Sequence, residues 1–158
     1  MINIAITGAG GRMGKALIEA VTQTDGLQLS AAVERPDSSL IGVDSGELAG
    51  IGRNSINVVS SLQEVVDQFD VLIDFSTPAS TAANIALCAE QGKKIVVGTT
   101  GFDEQQLKNI NQASEKTAIC MASNYATGVN LCFKLAEIVV SILVVHIDID
   151  ISDTHPRL

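Results

Sequence analysis

Tryptophan is absent from the 158 residues, tyrosine occurs once, and aromatic residues together make up 3%. Stacking platforms for single-stranded nucleic acid are built from such rings, so that class of function is disfavoured. Basic residues are also few: ten Lys and Arg stand against eighteen Asp and Glu, a net charge of −8. That sign argues against nucleic acid and against an anionic membrane surface as partners. Charged residues of all kinds are only 18%, too few for a disordered acidic chain. No apolar run is long. The longest, Ile138 to Val145, is broken by Ser141 and falls short of the roughly 20 residues that span a bilayer. The start, Met1-Ile2-Asn3-Ile4, lacks a basic segment followed by a long apolar one, so no signal peptide is expected. Cys88, Cys120 and Cys132 are far apart and show no paired spacing. They read as buried thiols of a cytoplasmic protein, not as a disulfide frame or a metal site.

Aliphatic residues arranged in short, alternating patterns make up most of what remains. Ile2 to Thr7 is an apolar run ending in glycines, as in a buried parallel strand. From Met13 to Thr24, Met13, Ala16, Leu17, Ala20 and Val21 recur at helical spacing. A second strand covers Leu29 to Val33. Further strands are expected at Ile56–Val59, Val71–Phe75, Ile95–Val97 and Ala118–Met121. Helices are expected at Leu62–Phe69, at Pro78–Glu90 with Gly92 as its stop, and from Asp103 to about Glu115 with Gln106 completing a capping box. Strands alternating with helices predict an α/β fold with a doubly wound parallel sheet. Asp37 to Ser55, rich in Gly and Ser, is read as a long loop of unassigned role.

After Asn124 the pattern changes. Val129, Cys132, Leu135, Ala136, Val139, Ile142 and Leu143 form one helical stripe, and Ile147, Ile149 and Ile151 alternate with polar residues as in a half-wet strand. One helix and one strand cannot enclose a second core. The domain expectation is therefore 1–125 for a first domain and 126–158 for the start of an incomplete α+β second one.

Gly8-Ala9-Gly10-Gly11-Arg12-Met13-Gly14 lies between the first strand and the first helix. Glycines at 8, 11 and 14 suit a tight turn, close approach of backbone to a ligand, and close helix–sheet packing. The N–H groups opening the helix, with Arg12 and Lys15 nearby, suit a pyrophosphate. Glu34 stands about 20 residues further on, at the end of the second strand, where an acid binds a ribose hydroxyl. Together these features predict a dinucleotide site; the plainer alternative is a glycine turn that binds nothing. Arg35 suits a 2′-phosphate, so both NADH and NADPH are expected to be accepted. Ser76-Thr77-Pro78, Gly98-Thr99-Thr100-Gly101 and Ser123-Asn124-Tyr125 follow three strands and could line a cofactor channel; each by itself is also an ordinary turn. His146 shares a strand face with Asp148 and Asp150, which makes a poor tetrahedral cage, so no metal is expected.

Taken in order, the glycine turn with Arg12-Met13, Glu34-Arg35, Asp74-Phe75-Ser76, Val97-Gly98-Thr99-Thr100-Gly101-Phe102, and Ser123-Asn124-Tyr125 with Gly128-Val129-Asn130 resemble the dihydrodipicolinate reductase family. Its members, also called 4-hydroxy-tetrahydrodipicolinate reductases, act in the diaminopimelate route to lysine. The resemblance implies a Rossmann cofactor domain and hydride transfer from NADH or NADPH to an unsaturated cyclic dicarboxylate. It implies that Gly8, Ala9, Gly10, Gly11, Arg12 and Met13 hold the pyrophosphate, Glu34 the adenosine ribose and Arg35 the phosphate of NADPH. By the same resemblance, Gly98, Thr99 and Thr100 would border the nicotinamide. Ala122, Ser123, Asn124 and Tyr125 would contact its side and form the hinge to a substrate domain. His155 falls on the family's proton donor, and a homotetramer is the usual assembly. Pro156 stands where the family has a second histidine, and the family's lysine and Ser-Gly-Thr segment have no counterpart before Leu158. The chain thus reads as truncated, binding cofactor without turnover; a non-catalytic binding module and another Rossmann-type reductase are the competing readings.

Overall fold

The computed structural model describes residues 1–143. His146, His155 and the strand expected at 147–151 lie outside the described residues. The chain divides into two compact units, one covering Met1–Ser123 and a second starting at Asn124.

The first unit is built on six parallel strands: β1 (Ile2–Thr7), β2 (Leu27–Val33), β3 (Val58–Val59), β4 (Val71–Asp74), β5 (Lys94–Val97) and β6 (Ile119–Met121). Their order across the sheet is β3-β2-β1-β4-β5-β6. The chain winds outward from β1 to β3, then returns to place β4 on the other side of β1. A crevice opens at such a reversal, beyond the carboxyl ends of the strands.

The helices cover both faces. One core contains Ile4, Ile6, Ala9, Ile18, Val21, Leu29, Ala32 and Val58, beneath α1 (Arg12–Gln23) and α2 (Ser45–Ala49). The other gathers Phe69, Leu72, Ile85, Cys88, Ile95 and Ile110 beneath α3 (Pro78–Gln91), α4 (Glu104–Ser114) and a 3₁₀ turn at Gln63–Gln68. Leu29 and Ala31 belong to opposite cores although two residues apart. A register shift explains this: Ile4 pairs with Leu29 but Ala5 with Ala31, so Ser30 is a bulge residue. An extra residue reverses the alternation of faces. The Ser30 hydroxyl donates to the Ile4 carbonyl at 3.2 Å within the distorted ladder.

Helix boundaries follow their caps. Thr77 accepts the Ser80 N–H with Pro78 in the first turn, and Gly92 ends α3 at φ 65°. Asp103 and Gln106 form the expected reciprocal capping box of α4.

Two expectations need correction. The stretch 37–55 is not merely a loop: it contains α2, capped by Asp44 and stopped by left-handed Gly50. The cysteines are not all buried: Cys88 is, whereas Cys120 and Cys132 are exposed. Cys120 lies on β6, the edge strand of the sheet among the described residues, where it pairs with β5 alone. Cys132 lies on α5 (Thr127–Leu143), the helix expected after Asn124. Within its unit α5 keeps Val129, Ala136 and Val140 half-buried and leaves Leu135, Val139 and Ile142 exposed. No helix among the described residues is long and apolar enough to cross a membrane.

Candidate functional site

A cleft of about 600 Å³ opens where β1, β2 and β4 end, lined from β1 and its turn by Thr7, Gly8 and Gly10. The end of β2 contributes Glu34 and Arg35, and the start of α3 contributes Thr77, Ser80 and Asn84. Ser38 and Leu40, from the stretch to which no role had been assigned, also line it.

The glycine turn is shaped by close approach. Gly8 sits at φ +70°, a conformation that side-chain-bearing residues rarely adopt. A Cβ at Gly14 would run into the Gly8 carbonyl and the Ala9 backbone, and one at Gly10 into Leu40 and the Glu34 carboxylate. Gly11 precedes α1 without offering a side-chain cap, and the first turn of α1 holds no acidic residue. The orphan N–H groups there, beside Arg12 and Lys15, favour an anion. Glu34 turns inward: its Oε1 accepts the Gly10 N–H at 2.8 Å and its Oε2 the Arg35 N–H at 3.2 Å. The Arg35 side chain turns along the rim to Asp37, with Nε 3.2 Å from Oδ1. Thr7 Oγ1, at the end of β1, is buried and has no hydrogen-bond partner.

Not every residue of the expected set reaches the cleft. Ala9 is fully buried in the core, and its N–H goes to the Val33 carbonyl at 3.3 Å. Gly11, Arg12 and Met13 are exposed at the start of α1, outside the lining. Thr99 is buried with its hydroxyl turned inward, accepting from the Ser76 N–H at 3.1 Å and from the Thr81 hydroxyl at 2.8 Å. Gly98 lies under the Phe75 ring, which any side chain there would displace. Thr100 and Ser123 are exposed, and Ala122 is half-buried. In the second unit, the Asn124 side chain accepts the Ala126 N–H at 2.7 Å and the Asn130 side chain donates to the Asn124 carbonyl at 3.0 Å, just before α5. Tyr125 is exposed in that unit.

Asp74 received no role from the sequence. Its carboxyl is fully buried, accepting from the Ser76 N–H at 3.0 Å, the Ser76 hydroxyl, and Asn84 Nδ2 at 2.8 Å. Through Ser76, Thr81 and Thr99 it ties the ends of β4 and β5 to α3. A buried acid is stable only with such partners. Asp74-Phe75-Ser76 was the only sequence signal for it. Among the described residues no group of three His, Cys, Asp or Glu is placed to hold a metal ion.

Comparison with known proteins identifies the family. The family described as Dihydrodipicolinate reductase, N-terminus, matches residues 2–125. The chain belongs to that family. A curated relative, the 4-hydroxy-tetrahydrodipicolinate reductase of Saccharophagus degradans, is 49% identical over 98% of this chain. The chain spans 58% of that relative's length. A solved dihydrodipicolinate reductase from Paenisporosarcina sp. TG-14, bound to dipicolinate, aligns at TM-score 0.71 with 27% identity, covering 89% of this chain and 54% of its own. GenD2 from gentamicin A biosynthesis, solved in complex with NAD, shares the fold at TM-score 0.60 and 21% identity, covering 85% of this chain and 38% of its own. Family and Rossmann fold together imply a nicotinamide nucleotide cofactor, and the glycine cradle, the open start of α1 and the inward Glu34 fit one.

Proposed function

We propose that this chain carries the cofactor half of an NAD(P)H-dependent 4-hydroxy-tetrahydrodipicolinate reductase, a cytoplasmic enzyme of lysine biosynthesis. The observation that carries the reading is the Glu34 carboxylate meeting the Gly10 N–H at the sheet's reversal point. Residues 1–125 form the dinucleotide domain in this reading, and 126–158 begin the substrate part, through which the full protein assembles as a homotetramer. When bound, the nicotinamide nucleotide supplies the hydride for an unsaturated cyclic dicarboxylate. The Gly8–Gly11 turn, by close backbone approach, and the orphan N–H groups at the start of α1 receive the pyrophosphate. Glu34 accepts from the adenosine ribose hydroxyls. The Asp74 network holds Ser76 and Thr99 at the ends of β4 and β5, beside the nicotinamide. His155 is the proton donor in this reading, on the strength of the family resemblance. A proton donor needs hydrogen-bond reach of the reacting carbon or its neighbour.

Calorimetric titration with NADH and NADPH tests the cofactor reading. Saturable one-to-one binding of either, weakened by Glu34→Ala, is expected. A folded sample giving no heat with either at millimolar concentration overturns it.

A further inference from the structure

We propose that Asp37 is a specificity-determining residue that tilts this chain toward NADH by occupying Arg35. The inference rests on reading the cleft as a dinucleotide site.

Residues Arg35, Pro36, Asp37 and Ser38 form a tight turn closed by the Ser38 N–H donating to the Arg35 carbonyl at 3.0 Å. Proline at the second position pre-sets the backbone for such a turn. The turn follows Glu34 directly, and Glu34 is fixed from both ends: its N–H reaches the Val59 carbonyl at 2.9 Å, and its carboxylate reaches Gly10. The turn therefore sets Arg35 and Asp37 side by side on the rim beyond the ribose-binding acid. There Arg35 Nε lies 3.2 Å from Asp37 Oδ1, with both side chains about three-quarters exposed.

The two cofactors differ at this rim alone. NADH presents a bare ribose, which Glu34 can satisfy. NADPH adds a 2′-phosphate of roughly −1.5 to −2 charge, the usual range for a phosphate monoester near neutral pH. A 2′-phosphate that reaches Arg35 competes with Asp37 for the guanidinium's charge, and the Asp37 carboxylate beside it faces the phosphate as a like charge. Glu34 is a second carboxylate within the same short segment. One guanidinium set against two carboxylates is a poor phosphate site, although Arg35 alone would make a good one. Asp37 is exposed and lies outside the cleft's lining, so its removal leaves the ribose contact and the fold in place.

The test is a double-mutant cycle on the full chain, using Asp37→Ala, Arg35→Ala and the pair, with NADH and NADPH titrated separately at low and high salt. Asp37→Ala is expected to tighten NADPH about fivefold, the scale of an exposed ion pair, while NADH changes less than about twofold. The gain should vanish in the Arg35→Ala background and shrink at high salt. If the unaltered chain binds NADH but Asp37→Ala leaves the NADPH-to-NADH ratio unchanged, the inference is overturned and the cofactor reading stands. If the unaltered chain binds neither nucleotide, both are overturned.

Discussion

Glu34 and Gly10, on successive turns of the sheet's carboxyl edge, are joined by a 2.8 Å hydrogen bond from the Gly10 N–H to the Glu34 carboxylate. The glycine turn and the acid that follows β2 are thus one structural element. The bond fixes the Glu34 carboxylate for the ribose contact proposed above. Replacing Glu34 by Ala removes both the ribose acceptor and the Gly10 contact. Hydrogen bonds to charged groups contribute about 1.5–3 kcal/mol, so NADH affinity should fall by about tenfold or more. The Gly10 N–H also loses its charged acceptor, so the urea midpoint should fall modestly as well. Unchanged NADH affinity in a titration would remove Glu34 from the site.

Gly14 is the point where α1 packs on the turn. Gly14→Ala forces a methyl group against the Gly8 carbonyl and the Ala9 backbone. Neither is a flexible side-chain end, so the helix must shift. Overpacking of this kind costs about 1–3 kcal/mol. Chemical denaturation should show that loss despite alanine's better helix propensity; a gain in stability would mean that α1 moves away freely.

Acid should loosen the wall formed by residues 37–55. Asp44 is buried, which by itself would raise its pKa. The N–H groups of Asn54, Glu47, Ser55 and Gly46 outweigh that and hold it below its ordinary value of 3.8. The folded state therefore takes up this proton less readily than the unfolded chain. The contribution is complete above about pH 4 and fades as pH falls through the depressed folded value. Urea midpoints followed downward from pH 5 should drop more steeply for the unaltered chain than for Asp44→Asn. Parallel curves would mean that the carboxylate contributes nothing through its charge.

Thiol chemistry should separate the cysteines. Cys88 is fully buried, and its pKa is pushed up to about 12 by burial and by the nearby Asp74 carboxylate, with Lys93 opposing. The thiolate is the reactive form, so Cys88 should resist a disulfide reagent at pH 8 until the protein unfolds. Cys120 and Cys132 are exposed and should react first. Mass mapping of the modified sites decides it; early labelling of Cys88 would show that the core beneath α3 opens readily.

Apart from α2, the order of strands and helices could be read directly from the sequence because each short aliphatic run carries its own period and stop signal. Gly92 after α3 and the Asp103–Gln106 box are local chemistry, visible in a few residues. The glycine turn and Glu34 were likewise legible, since their separation is set by one strand–helix–strand unit. Tertiary structure alone decided the rest, because it depends on residues distant in the chain. Leu40 reaches the glycine turn only because the segment between β2 and β3 folds back, tied by Asp44 to Asn54 and Ser55. The inward bonding of the Thr99 hydroxyl to Ser76 and Thr81 is likewise a tertiary outcome, because burial leaves a hydroxyl no solvent partner. Cys120 is exposed on β6, the edge strand among the described residues, a property of sheet order rather than of any local pattern.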